Sequence, residues 1–248
     1  MNWTTARRSG RGHDAVGAAP VPPGPAAAPR AWMSWSSGKD STLALQLVCE
    51  EGAIEVAGLL STVNAAADRV SMHAVRRVLL EAQADRLGLP LHVVEIPSPC
   101  PNDVYEAGMA EALRAARSLG VGRVVFGDLF LEDIRAYREE ALRGTGIAPV
   151  FPLWGLSTRE VARHVVDAGI RAVLTCVDPR RMPATLVGRA YDAQLLAELP
   201  GNVDPCGEHG EFHTFVWDAP QFSSPIDVTL GEVVERDGFV FCDVLPAA

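Results

Sequence analysis

From Ala31 onward, short apolar runs alternate with amphipathic stretches, the signature of strands joined by helices in a parallel sheet. The runs at 32–35, 54–60, 91–96, 123–126, 150–153 and 172–176 predict strands. The intervening segments 41–50, 71–87, 102–119, 132–142 and 158–168 predict helices, and Val75, Val78, Leu79 and Ala82 show why: they recur on one helical face. Gly88, Gly120 and Gly169 follow three of these helices where C-caps belong, and Ser157 with Glu160 reads as a capping box. After about residue 200 the texture changes. Strands are predicted at 212–217, 226–230, 232–236 and 239–244, with Asp237-Gly238 as a hairpin turn. The expectation is an α/β fold: a doubly wound, mainly parallel sheet over 31–200 with a smaller C-terminal β-rich appendage over 201–248.

Composition adds limits to this picture. The first thirty residues hold seven Ala, five Pro and four Gly, too little apolar surface to offset ordering entropy, so this tail is expected to be disordered. Met33 directly precedes the first strong motif, and translation is expected to start there; a native peptide containing Ala15 or Val21 would show otherwise. Beyond that tail, 18 basic groups face 30 acidic ones, which disfavours a broad nucleic-acid surface. The five cysteines are scattered, with no CxxC pair, so neither a disulfide framework nor a zinc ribbon is expected. No apolar run is long enough for a membrane span and no secretion signal is visible, which places the expected protein in the cytoplasm, away from membranes.

The 22 cationic side chains comprise 21 arginines and one lysine, Lys39. That lysine lies in Ser34-Trp35-Ser36-Ser37-Gly38-Lys39-Asp40-Ser41, which leaves the first strand and opens the first helix. Strand, Ser/Gly turn and helix N-terminus make an anion site, because free amide groups and the positive end of the helix dipole converge there. Ser36, Ser37 and Ser41 offer hydroxyls, and Gly38 lets backbone approach a phosphate. A Walker A loop would need glycine where Met33 stands. Turns and caps of purely structural purpose use the same residue types, so the loop alone leaves that alternative open.

The chain resembles the diphthine-ammonia ligase family of the ATP-pyrophosphatase (PP-loop, adenine nucleotide alpha hydrolase-like) superfamily, and looks like a bacterial-type member. The matching segments are SWSSGKDS at 34–41, SMHAVRRVLLEAQADRLGLPL at 71–91, FGDLFLEDIRAYRE at 126–139, FPLWGLST at 151–158, TCVDPR at 175–180 and DPCGEHGEFHTFVWDAP at 204–220. His209 departs from the asparagine usual between the two Gly-Glu pairs. The resemblance implies a HUP-like fold and binding of ATP and Mg2+, with Ser36, Ser37, Gly38, Lys39, Asp40 and Ser41 around pyrophosphate and metal. It further implies an AMP-forming amide ligase that adenylates a carboxylate or carbonyl oxygen and then takes ammonia or an amine. The family's named reaction amidates diphthine, a substrate that a bacterial member would lack, so the reaction class is expected to carry over better than the acceptor.

The remaining candidates follow from position. Asp128 and Asp178 stand just past strand ends, where ligands collect in open α/β sheets, and either carboxylate could contact Mg2+ or substrate; Asp40 and Asp128 are the expected metal residues. Ser61, Asn64 and His73 are candidates near nucleotide, while Glu208, Glu211 and His213 are expected to serve the amide-forming step together with Lys39. Arg180, Arg181 and Arg189 are candidates for phosphate or carboxylate. Structural roles remain open for His73, Arg181 and Cys206. Two other functions compete: a tRNA sulfurtransferase of the same superfamily, against which the missing CxxC argues, and an ATP-binding sensor without turnover. Homo-oligomerisation and the acceptor, small molecule or protein side chain, are left open.

Overall fold

The structure, a computed structural model, describes residues 28–247; the segment expected to be disordered lies outside them except for its last three residues. The first sheet contains β1 (Arg30–Ser34), β2 (Glu55–Asn64), β4 (Leu91–Ile96), β5 (Val121–Val125) and β6 (Ala148–Val150) in the order β4-β2-β1-β5-β6, all parallel. The short β3 (Arg69–Val70) adds antiparallel to the end of β2. Chain order reverses between β1 and β5, the position where a doubly wound sheet opens a crevice at its carboxyl edge. β1 starts at Arg30, so a chain beginning at Met33 would lose three of its residues, among them the buried Trp32.

Alternation along the strands explains the two layers. Met33 of β1, Leu59 of β2 and Val125 of β5 face one core, packed by α1 (Lys39–Glu51), α2 (Arg77–Leu87) and α5 (Thr158–Asp167). Trp32, Leu60 and Val124, their immediate neighbours, face the opposite core, covered by α3 (Asn102–Ser118) and α4 (Glu132–Leu142). Gly52 and Gly88 end α1 and α2 in the left-handed conformation that glycine adopts without strain.

A second, antiparallel sheet has the order β8-β7-β10-β9, from β7 (Arg171–Val177), β8 (Phe212–Asp218), β9 (Val228–Arg236) and β10 (Phe239–Pro246). β7 corrects the sequence expectation: the apolar run at 172–176 belongs here, hydrogen-bonded to β8 and β10, and not in the parallel sheet. The strands expected at 226–230 and 232–236 are one strand, with a bulge where Gly231 and Glu232 oppose Asp243. The hairpin turn at Asp237-Gly238 has positive φ at both residues, as a type I′ turn requires. A short α6 (Ala193–Glu198), capped by Asp192, was not expected. Ser157 does occupy the N-cap of α5, but its side chain makes no cap hydrogen bond.

The helix expected at 71–87 begins only at Arg77. Met72 and Ala74 take positive φ, and residues 69–76 fold back on β2, with Ser71 N–H bonded to the Thr62 carbonyl and Val70 and Val75 buried. His73 is thereby lifted off the helix and turned toward the carboxyl edge of the sheet.

Candidate functional site

The loop from Trp35 to Gly38 joins β1 to α1, and Lys39 starts the helix. Asp40 and Ser41 fall in its first turn, where amide groups have no partner within a helix. The loop is held from behind. Ser37 is fully buried with φ +67°, and its carbonyl accepts from Val216 N–H and from Gln83 Nε2 at 3.1 Å. Gln83, also fully buried, donates as well to the Val216 carbonyl at 2.6 Å and accepts from the Trp35 indole at 2.8 Å. A left-handed non-glycine residue costs of order 1 kcal/mol or more and persists where its surroundings dictate it, as here.

Two glycines permit the close approaches. A Cβ on Gly38 would stand 2.8 Å from His73 Cε1, and one on Gly127 would stand 3.0 Å from the backbone of Asp40 and Ser41. Gly127 thus lets the loop after β5 lie on the start of α1 and brings Asp128 beside Asp40.

Lys39 is buried, and its ammonium donates to the Asp40 carboxylate at 2.9 Å and to the Cys206 carbonyl, beneath the rings of Phe212 (5.2 Å) and Tyr191 (5.4 Å). Burial works against the charge, but Asp40 and further acidic neighbours outweigh it and the pKa rises. Lys39 N–H donates to Thr214 Oγ1 of β8, so the residue fastens the loop to the second sheet by its backbone and to the segment before β8 by its ammonium.

Three carboxylates face the loop. Among the described residues, Asp40 Oδ1 is buried without a hydrogen-bond partner. Asp128 forms an ion pair with Arg138 at 3.5 Å, too long to satisfy the buried Oδ2, and burial raises its pKa. Glu208 accepts from Leu129 N–H at 3.0 Å, yet burial, reinforced by Asp40 and Asp128, pushes it up to about 7. Beside them the rings of His73 and His213 lie 4.6 Å apart. His73 Nδ1–H donates to the Thr214 carbonyl at 3.1 Å, leaving Nε2 free, and burial lowers the pKa of both imidazoles, that of His213 strongly.

These groups line one cavity of about 1430 Å³ at the carboxyl edge of the parallel sheet, which continues between α3 and α4. A model of the diphthamide synthase N-terminal domain matches residues 30–149, and one of the C-terminal domain matches 157–244. The chain belongs to the diphthamide synthase family. Proteins named diphthine–ammonia ligase are similar to it: that of Danio rerio is 24% identical over 230 residues, covering 84% of this chain and 90% of the relative. That of Rattus norvegicus is 23% identical over 231 residues, covering 84% and 86%. The match to the Homo sapiens protein, 26% identical over 163 residues, covers 63% of this chain and 61% of the relative. Among the described residues, no helix is long and apolar enough to cross a membrane.

Within this diphthamide synthase fold, the cavity brings together Ser36, Lys39, Asp40, Ser41, Ser61, His73, Asp128, Glu208 and His213. Ser37 and Gly38 shape the loop from behind. Glu211 lies outside the cavity: its Oε1 accepts from Asp204 N–H at 3.2 Å and its Oε2 is buried without a partner among the described residues. Asn64 spends its carbonyl oxygen on Ala66 and Ala67 N–H, and Asp178 is held bidentately by Arg180, both outside the cavity. Arg181 lies near the same carboxylate at 3.5 Å, and Arg189 pairs with Glu198. Cys206 reaches the cavity, but its thiol points to the Thr158 carbonyl and burial pushes its pKa up, the reverse of an activated nucleophile. Sequence reasoning missed Gln83; a polar residue four places after the buried Leu79 on the apolar face of α2 was the available signal.

Proposed function

We propose that this chain is an ATP-dependent, AMP-forming ligase that joins a carboxylate-bearing acceptor to ammonia or an amine; the names of its relatives support a ligase that uses ammonia. The observation that carries this reading is the convergence, in one cavity, of a phosphate loop, two metal-competent carboxylates and a basic Glu/His group from the other end of the chain. ATP phosphates would meet Ser36, Ser41 and the N-terminus of α1. Asp40 and Asp128 would hold Mg2+: of the three carboxylates whose buried oxygens lack a partner among the described residues, Asp40, Asp128 and Glu211, these two line the cavity, which fits an ion that takes one or two protein carboxylates plus phosphate oxygens. When bound, the ion supplies positive charge against the phosphates.

The acceptor carboxylate oxygen forms a bond to the α phosphorus as the bond to the bridging oxygen breaks, and pyrophosphate leaves with the electron pair. Nitrogen then attacks the activated carbonyl, AMP leaves with its electron pair, and the nitrogen proton passes to Glu208, whose pKa near 7 suits a general base. His73 and His213, whose pKa values burial lowers, add no positive charge that would repel ammonium or a protonated amine on its way into the cavity. Lys39 orients Asp40 and contributes positive charge near the leaving group.

Pyrophosphate release tests the reading. Incubation with Mg-ATP, ammonium and a panel of carboxylic acids is expected to yield pyrophosphate and AMP with at least one acid. Lys39→Arg should impair ATP binding, because the broader guanidinium does not fit between Asp40, Cys206 and the two rings. Tight ATP binding with no pyrophosphate from any acid–amine mixture would instead make the chain a nucleotide sensor.

A further inference from the structure

The cavity extends well past the phosphate loop. At about 1430 Å³ it exceeds the roughly 300–1,000 Å³ typical of a site for one small ligand, and it has two arms. One arm runs past Ser61, Ser71 and His73, where, among the described residues, Ser61 and Ser71 carry buried hydroxyls without a partner. Those unmet polar groups suit the polar edges of a nucleoside. The other arm is a groove between α3 and α4 of different character. Leu60, Val124 and Phe126 of the sheet edge line it, with Met109 and Leu113 of α3 and Ile134 and Ala141 of α4. Tyr105 and Tyr137 flank it near the loop, close enough that burial and then Tyr105 raise the Tyr137 pKa.

Arginines mark the far end. Arg114 and Arg117 line the groove, and among the described residues neither has a carboxylate within ion-pair distance. The two acidic residues that α3 and α4 contribute to the lining are engaged elsewhere: Glu106 by Asn102, and Glu140 by Arg143. From Tyr105 to Arg117 the helix spans about 18 Å, which sets the length of the groove.

We infer that the α3–α4 groove is the acceptor subsite, and that it takes an elongated carboxylic acid with an apolar middle and a second anionic group bound by Arg114 and Arg117. The reactive carboxylate then reaches the loop, the middle covers Met109, Leu113 and Ile134, and the distal anion neutralises cations that the protein leaves unpaired. This substrate class rests on the ligase reading above, but the groove is probed without turnover.

The probe is dodecanedioate, titrated calorimetrically into the full chain with and without Mg2+ and an ATP analogue carrying a methylene between the α and β phosphorus atoms. Binding at one site is expected in both conditions. Arg114→Ala combined with Arg117→Ala should weaken dodecanedioate about ten-fold or more while leaving uncharged dodecanediol nearly unchanged. Ala110→Trp, at an exposed position on the groove wall, should block both while leaving the far-ultraviolet circular dichroism of the wild type. No binding, equal binding by the double alanine variant, or displacement of dodecanedioate by the analogue would each overturn the acceptor assignment. Wild-type dodecanedioate binding alongside absent pyrophosphate release would sink the ligase reading and leave the groove as a diacid site.

Discussion

The two faces of the parallel sheet are built to different standards. On one, α1, α2, α5 and the second sheet share a core with the loop at 35–38, and Ser37, Lys39, Gln83 and Thr214 are buried there with hydrogen-bond partners. On the other, α3 buries only Leu113 and Ala116, α4 only Leu142, and a groove stays open between them. The first face holds the loop and its left-handed Ser37 from behind through Gln83 and Val216, the kind of support that the proposed phosphate site needs. The second leaves apolar surface uncovered, which costs stability and is useful only if something else covers it.

The sharpest way to break this contrast is at Gln83. Gln83→Leu removes the acceptor of the Trp35 indole and a donor to two carbonyls, leaving buried polar groups unmet beside a left-handed Ser37. A loss of about 2–4 kcal/mol is expected by urea denaturation, together with weakened ATP binding. Gln83→Glu, which buries a carboxyl group against the Ser37 and Val216 carbonyl oxygens, should cost at least as much stability and also weaken nucleotide binding. Stability within 1 kcal/mol of wild type for Gln83→Leu would mean that the loop is held by other contacts.

Glu208 tests the boundary between the two faces. Its folded pKa of about 7 lies above the ordinary 4.5, so the folded chain binds more protons than the unfolded chain between those values. Stability therefore falls as pH rises through this window and the penalty is complete above about pH 7. Glu208→Gln removes the penalty while keeping an acceptor for Leu129 N–H, so it should match wild type near pH 4 and exceed it at pH 8 by about 1–3 kcal/mol. The same variant should lose the rise in amide formation expected as pH climbs through 7. A variant less stable than wild type at pH 8 would contradict both halves of the argument.

Legibility in the sequence followed the range of the interactions involved. The limits of α4 at 132–142 and of β4 at 91–96 were readable because a local pattern of apolar spacing and charge fixes them. So was the loop at 36–41, whose strand–turn–helix context is local as well. Sheet membership of 171–177 was not, because a fully buried apolar run looks alike in parallel and antiparallel surroundings and its partners lie far along the chain. The turn that delivers His73 was hidden by helix-compatible residues; Met72 and Ala74 take positive φ only because Ser71 and Val70 are bonded to distant or folded-back backbone. Glu211 looked like its neighbour Glu208, and only three-dimensional placement separates the one that lines the cavity from the one that braces Asp204.

The smallest expected effect is the most discriminating for the open face. Tyr137 is 40% exposed and stands on a groove wall, so Tyr137→Ser removes a large ring that packs mainly toward the groove. If α3 and α4 are held by the sheet beneath them, through Leu113, Ala116 and Leu142, the loss in urea denaturation should stay within about 0.5 kcal/mol, the range of ordinary surface substitutions. If the ring were part of the core, truncation should cost about 3 kcal/mol or more, as buried aromatics do. A small stability change accompanied by weaker dodecanedioate binding assigns the ring to a ligand; a large one would mean that the groove closes in solution and that the two faces are more alike than their packing implies.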